Sequence, residues 1–374
     1  MKSIGIITIH KINNYGSVLQ AYALQKVCEE MGFKAEIIDY KFPNEFHSPN
    51  KYVCAQNIQP NEPVWIKLIY GWELMKQHKG VEMFVKKYQH LSLNEYLSPV
   101  ELKNESPTYD IYITGSDQLW NPYHCNGDPA FLLHFAPDNA LKISYAASLG
   151  VNSIPEELKP KYKELLNRYA HISVRENSGI QVIREVAGKE AIVVLDPTLL
   201  LNRDHWNQIA TPKRQFNKKY ILCYFLNYTF NAFPYVDELA SYIQHHTGYE
   251  IVRVARPPHR LGIPHTHYRV GASPEEFIAL VRDAEMILTT SFHGTAFAVN
   301  YGKPVFTVVQ NRNACDSRQV SLMHNLGLDD QILSITDCMP KRERFTYDEE
   351  TEQTRLEALR QQSIDYLKHS LDNE

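Results

Sequence analysis

Residues 289–304 read TTSFHGTAFAVNYGKP, and how this stretch divides decides the fold. It closes AEMILTT (284–290), a short apolar run with the length of a buried strand. GTAFAVNYG (294–302) is small and apolar and reads as a helix, and KPVFTVVQ (303–310) is strand-like again. Strand, helix, strand is the unit that builds a parallel sheet with right-handed crossovers. His293 then stands at a strand-to-helix junction, where open α/β sheets hold their ligands. Thr289, Thr290 and Ser291 precede it at the head of the helix, whose free N–H groups favour phosphate or carboxylate. An imidazole with an ordinary pKa of about 6.5 suits proton transfer there. A lone histidine serves packing as readily, so the neighbours must decide.

The same alternation recurs along the chain. SIGIITI (3–9), a helix from VLQAYALQKVCEEMG (18–32) and KAEIIDY (34–40) make a βαβ opening, with Asn14 and Gly16 in the first loop. Val18, Leu19, Tyr22, Ala23 and Val27 form the apolar stripe, and Gly32 is the stop. That first loop lacks GxGxxG, so a dinucleotide site is not indicated. YDIYITGSDQLWNP (109–122) is a strand whose tip carries Gly115, Ser116 and Asp117. LKISYAASLG, HISVRENSG and AIVVLDPTLLL supply further strands, with Arg175 and Glu176 at one junction and Asp196-Pro197 closing another. In the second half, KYILCYFLNYT, YEIVRVAR, MILTTS and KPVFTVVQ are strands, and Arg256 ends the second of them. SPEEFIALVRDAE (273–285) opens with a helix cap: Ser273 as N-cap, Pro274 at N1 and Glu276 at N3 of a capping box.

The chain has 374 residues, more than one core of roughly 250 residues accommodates. The reading is α/β, with an N-terminal domain over 1–205, a C-terminal domain over 206–345 and a helix over 346–374 that packs back on a domain. A polar stretch, NRDHWNQIATPKRQFNKK (202–219), marks the boundary. Residues 43–63 read as an irregular insertion. A helical insertion at about 62–95 mixes basic and aromatic residues, a texture that fits a layer over the sheet and allows a partner surface or peripheral membrane contact.

Bulk properties exclude several classes. Acidic residues exceed basic ones, 43 to 39, which argues against nonspecific nucleic-acid binding and leaves room for a local basic cleft. No apolar run reaches the roughly 18 residues of a membrane span. The opening MKSIGIITIHKINNYG reads as a buried strand rather than a signal peptide. The six cysteines form no CxxC pair, which favours a reducing cytosol over a disulfide scaffold and argues against structural zinc. His259, His265 and His267 lack a metal-ligand spacing, so no metal is expected. Arg175, Arg256 and Arg318 are candidate anion clamps, since arginine grips carboxylate and phosphate bidentately, although each alone reads equally as a surface residue. Asp117 can serve as a base, as a binder of sugar hydroxyls or as a turn residue.

NNYGSVLQAYAL, DIYITGSDQLW, SYAASLG, SVRENSG, VLDPTLLL, the block from Ser273 to Val305, and SRQVSLMHNLGL together resemble the polysaccharide pyruvyl transferase family, over most of the chain and in order. The resemblance implies two Rossmann-like domains facing a cleft, similar to the glycosyltransferase B architecture, with the acceptor on the N-terminal side and the donor on the C-terminal side. It implies phosphoenolpyruvate as donor and a hexose of a glycan or lipid-linked precursor as acceptor. The product is a cyclic pyruvate ketal, phosphate leaves, and no metal or cofactor is required. The SFHG histidine of the family falls on His293 and the VRE arginine on Arg175.

On this resemblance, His293, Arg175 and Asp117 are the expected catalytic residues. Ser291, Phe292, Gly294, Thr295, Arg256 and Arg318 are expected at the donor, and Asn14, Gly16, Ser116 and Asp117 at the acceptor. Some relatives carry a basic residue just before the histidine where this chain has Phe292, so Arg256 or Arg318 must complete the clamp. The expected location is the cytoplasm, including the inner face of the membrane. Two rivals share the sequence features: a nucleotide-sugar glycosyltransferase, and a non-catalytic glycan-binding or assembly protein.

Overall fold

Two parallel sheets carry the molecule. The computed structural model describes residues 1–41, 64–226, 230–257, 265–312 and 317–372. The first sheet holds β1 (Ser3–Ile7), β2 (Lys34–Tyr40), β3 (Leu91–Tyr96), β4 (Ile111–Thr114) and β5 (Leu141–Ser144), in the order β3-β2-β1-β4-β5. β6 (Ser173–Val174) and β7 (Ile192–Val193) pair beside it, joined to it by single bridges at Ile143–His171 and Ala147–Val174. The second sheet holds β8 (Tyr220–Tyr224), β9 (Glu250–Val254), β10 (Thr266–Arg269), β11 (Met286–Thr289), β12 (Val305–Val309) and β13 (Ile332–Ser334), in the order β10-β9-β8-β11-β12-β13. Every paired register is parallel.

The helices are α1 (Tyr15–Glu30), α2 (Val64–Tyr88), α3 (Pro99–Asn104), α4 (Lys159–Leu166), α5 (Asn177–Ala187), α6 (Pro197–Leu200), α7 (Arg203–Ile209), α8 (Tyr235–Thr247), α9 (Pro274–Asp283), α10 (Phe292–Asn300), α11 (Arg318–Leu326) and α12 (Glu349–Leu371). One apolar cluster joins the two halves. It runs from Ile4 and Ile6 on β1, through Leu19, Trp206, Phe277 and Phe297 on α1, α7, α9 and α10, to Leu222 and Ile287 on the second sheet. Separate clusters back the far face of each sheet. The strand order reverses between β1 and β4 in one sheet and between β8 and β11 in the other, the positions where α/β sheets open a crevice. Asp117 follows β4 and His293 follows β11, so the two reversals bring candidate residues from both halves together.

The cap on α9 forms as its sequence dictates: Ser273 accepts from the Glu276 N–H, and Glu276 reaches back to the Ser273 N–H. Helix α1 begins at Tyr15, earlier than its apolar stripe implied, because Asn14 caps it by accepting from the Gly16 N–H at 2.9 Å. Asn14 and Gly16 therefore belong to a helix start and not to a free loop. β3, β10 and β13 escape the sequence reading. β3 buries only Ser92 and Tyr96 and leaves Leu93 fully exposed, which hides its alternation; β10 is a polar edge strand and β13 spans three residues. The reading of 43–63 as an insertion lies outside the described residues. Helix α12 packs on both halves rather than one: Tyr366 Oη donates to Ser144 O and Arg360 Nε to Leu199 O, while Gln353 Nε2 donates to Val299 O.

Candidate active site at the meeting of the two sheets

The turn between β11 and α10 is built from hydroxyls. Thr289 Oγ1 donates to Tyr224 O at 2.7 Å and accepts from the Ser291 N–H at 3.0 Å. Thr290 exchanges hydrogen bonds with both backbone groups of Leu226. Ser291 caps α10 by accepting from the Gly294 N–H, and Thr295 pairs with Thr307 at 2.8 Å. These groups were expected to meet a donor, yet Ser291, Gly294 and Thr295 spend their polar atoms on the turn itself. Gly294 is small because any Cβ there would overlap Thr289 and crowd the Tyr224 ring. The crown of hydroxyls fixes the direction in which His293 leaves the helix.

His293 is 5% exposed and points into the other half of the molecule. Its ring lies against Gly16, where a methyl group would overlap the imidazole. Its Nε2 sits 3.6 Å from Asp196 Oδ2 and has no hydrogen-bond partner. Asp196 caps α6, accepting on Oδ1 from Thr198 N–H and on Oδ2 from Ser116 Oγ at 2.9 Å. Arg175, at the tip of β6, donates to Ser116 Oγ from Nε at 3.1 Å and from Nη2 at 2.5 Å, and its Nη2 forms an ion pair with Asp196 Oδ2 at 2.9 Å. Its Nη1 is buried without a partner. Burial opposes ionisation of Asp196, but Arg175 and then His293 outweigh it and hold the carboxyl well below the usual carboxylate range.

Phe292, just before the histidine, faces two cations. The Arg175 guanidinium lies 4.8 Å from its ring centroid and that of Arg318 lies 5.9 Å away, so the ring is a platform shared by two cations. Arg318 is the first residue of α11, capped by Ser317. With its amide oxygen turned toward Arg318, Gln118 accepts from both terminal nitrogens at 3.0 and 3.1 Å.

Asp117 closes the group. Its φ of 88° is left-handed, an uncommon and strained setting for a residue with a Cβ. Ser17 Oγ donates to one of its carboxylate oxygens and the Gln118 N–H to the other. Burial pushes its pKa up, but Arg175, His293, Ser17 and Arg318 together hold it below the ordinary value. Ser116 is fully buried and links Arg175 to Asp196, so it is part of the framework rather than an acceptor contact. Glu176, fully buried, accepts from the Leu149 and Gly150 N–H groups through one oxygen and leaves the other unpaired.

The first turns of α1, α5, α10 and α11 carry or directly follow these residues, so several helix N-termini add partial positive charge to the two arginines. Two recesses matter here, and members of the group line the first. One, of about 220 Å³, is lined by Arg175, Asp196, Phe292 and residues of α11 and α12. The other, of about 280 Å³, is lined by Asn13, Tyr15, Gln77, Tyr224 and Arg256 among others. Arg256 thus stands in a different recess from the Phe292 pair. Sequence reasoning passed over Asp196, Ser17 and Gln118: Asp before Pro signals a helix cap, and nothing local says that the same carboxylate faces a histidine about a hundred residues away. Among the described residues no three His, Cys, Asp or Glu side chains gather as a metal site; His267 pairs with Glu250, and His259 lies outside the described residues.

A search of curated proteins returns no significant match. Solved structures share the fold. One is MnaA of S. aureus with UDP, at 12% identity and a TM-score of 0.52, covering 100% of this chain and 97% of the other. Another is a glycosyltransferase from Rickettsia africae, at 13% identity and a TM-score of 0.51, covering 100% and 99%. At such identities the likeness establishes the two-domain, Rossmann-like architecture and nothing finer. The profile of the family described as polysaccharide pyruvyl transferase matches residues 14–312. That span opens at the cap that places Gly16 under the histidine and takes in Asp117, Arg175, Asp196 and His293, so this chain, an enzyme and a transferase, belongs to the polysaccharide pyruvyl transferase family.

Proposed function

We propose that the protein transfers pyruvate from phosphoenolpyruvate to two hydroxyls of a hexose, in a polysaccharide or its lipid-linked precursor, forming a cyclic ketal and releasing phosphate. The observation that carries this reading is a pair of buried groups without a hydrogen-bond partner around one carboxylate: Nη1 of Arg175, whose Nη2 pairs with Asp196, and His293 Nε2, 3.6 Å from Asp196 Oδ2. A buried donor left unpaired costs about 1–3 kcal/mol, so the site is built for an acceptor-rich ligand. Phosphoenolpyruvate offers a carboxylate and a phosphate.

In this scheme Arg175 and Arg318 hold the two anionic groups over Phe292. His293 gives its proton to the methylene carbon of the enol, which becomes the methyl group of the product, and the adjacent carbon becomes oxocarbenium-like. Asp196 faces Nε2 and fixes the ring, acting through His293. The first sugar hydroxyl adds to that carbon and Asp117 takes its proton. The carbon–oxygen bond to phosphate breaks, the second hydroxyl closes the ring, and its proton leaves with phosphate. Stabilising the departing phosphate is the largest task, and the arginines and helix ends supply it. The recess bearing Asn13, Tyr15, Gln77 and Arg256 suits the acceptor.

The test is incubation with phosphoenolpyruvate and hexoside acceptors, both lipid-linked and water-soluble, following phosphate release and the mass of the ketal. Transfer from a nucleotide sugar instead, with no phosphate from phosphoenolpyruvate, would overturn the reading in favour of a glycosyltransferase. His293→Ala should lower the rate about 10²–10⁴-fold.

A further inference from the structure

Among the described residues, large exposed apolar side chains concentrate on α2: seven of the fourteen belong to this helix. Val64, Leu68, Trp72 and Met75 fall within roughly 80° of one another at 100° per residue, and Trp65 and Ile69 flank them. Trp72 is 75% exposed and Leu68 78%. Along the same line in the second half of the helix come exposed Lys79 and Lys86, with Lys76 and Lys87 beside them and one exposed acid, Glu82, among them. The helix holds five lysines and two glutamates in a chain whose formal charge is −4, so its charge runs against that of the whole.

The opposite face is anchored. Val81, Phe84 and Val85 are buried, Gln77 donates to Tyr15 Oη at 3.0 Å, and Glu73 accepts from the Gly271 N–H. Leu74 and Gln77 also line the recess assigned to the acceptor. The outward face is therefore held rigidly at the edge of the cleft, apolar and tryptophan-bearing at one end and cationic at the other.

We propose that α2 seats the enzyme on an anionic lipid bilayer. Its first half enters the boundary between headgroups and acyl chains, its lysines meet lipid phosphates, and the acceptor recess faces the surface where a lipid-linked sugar is anchored. This inference rests on the reading of the acceptor as lipid-linked. Tryptophan and leucine beside lysine on one helix face form the pattern of an interfacial helix. The lysines supply the complementarity to acidic lipid that a second copy of the same basic face would not. No described helix is long and apolar enough to cross a membrane, so the contact is peripheral.

The full-length protein is mixed with vesicles of phosphatidylcholine alone and of an equal mixture with phosphatidylglycerol, and the bound fraction is measured by co-sedimentation. Partitioning should be about tenfold stronger onto the anionic vesicles and should weaken with salt. Tryptophan emission should shift to the blue; Trp120 and Trp206 are fully buried, so the change reports on α2. Leu68→Ser/Trp72→Ser should lose binding to both vesicle types, and Lys79→Glu/Lys86→Glu should lose the anionic preference. Both variants should keep phosphate release with a water-soluble acceptor. Equal or negligible binding to the two vesicle types by the parent protein would overturn the proposal. So would a dimer in sedimentation that Leu68→Ser/Trp72→Ser dissolves, which would assign the face to a second copy. Phosphate release with the soluble acceptor tests the pyruvyl-transfer reading independently of any vesicle result.

Discussion

Gly16→Ala separates the placement of His293 from the stability of the fold. Gly16 lies in the first turn of α1, in a helix, and its backbone does not need glycine's conformational freedom. Alanine is the better helix former by about 1 kcal/mol in a helix interior and by less at an end. Against this, the new methyl overlaps the His293 imidazole. That ring has little room: Phe292 packs edge-on with centroids 5.2 Å apart, and Asp196 faces Nε2. Overpacking of this kind costs about 1–3 kcal/mol, so the net loss of stability should stay below about 2–3 kcal/mol. Catalysis has no such compensation. Moving a proton donor by about 1 Å costs about 10²-fold, and kcat should carry the loss. The assay is phosphate release from phosphoenolpyruvate, with thermal unfolding of the same samples. Gly71→Ala is the control: a Cβ there meets nothing within 4 Å, so it should gain roughly 0.5–1 kcal/mol and leave turnover unchanged. If Gly16→Ala kept kcat/KM within about twofold of the parent, the contact would not be what positions the ring.

Arg318→Ala should lower kcat/KM for phosphoenolpyruvate about 10²-fold, whereas Arg256→Ala should act on the KM of the acceptor; the reverse pattern in steady-state kinetics would exchange their recesses. Asp196→Asn keeps the cap but removes the charge that Arg175 and His293 face, so kcat should fall while the KM for phosphoenolpyruvate changes little, with Asp196→Glu restoring part of the rate. Burial pushes the Glu352 carboxyl up to about 7, from an ordinary 4.5. The folded chain holds that proton across this window, so the stability it contributes is complete below 4.5 and is lost as pH rises through 7. Glu352→Gln should therefore stabilise the protein by about 3 kcal/mol at pH 8 and by almost nothing at pH 4, as read from denaturant unfolding. Ser273→Ala breaks the capping box of α9 and should cost about 1 kcal/mol in denaturant unfolding.

The amino-acid order settled whatever depends on neighbours along the chain. The apolar run before His293 and the small-residue run after it fixed a strand and a helix, and Ser273-Pro274 with Glu276 fixed a cap, because these choices are made by groups a few residues apart. It also determined the family, through motifs spread from Asn13 to Leu328. Where alternation was masked, as by exposed Leu93 in β3, local pattern failed. The site itself depends on how distant segments meet. His293, Gly16 and Asp196 are far apart along the chain, and only the meeting of two strand-order reversals brings them into contact. Arg318 rather than Arg256 shares the Phe292 ring with Arg175 because α11 points its first turn there. The hydroxyls around His293 turned inward because backbone groups of the turn needed partners, a demand that can be counted only once the chain has folded.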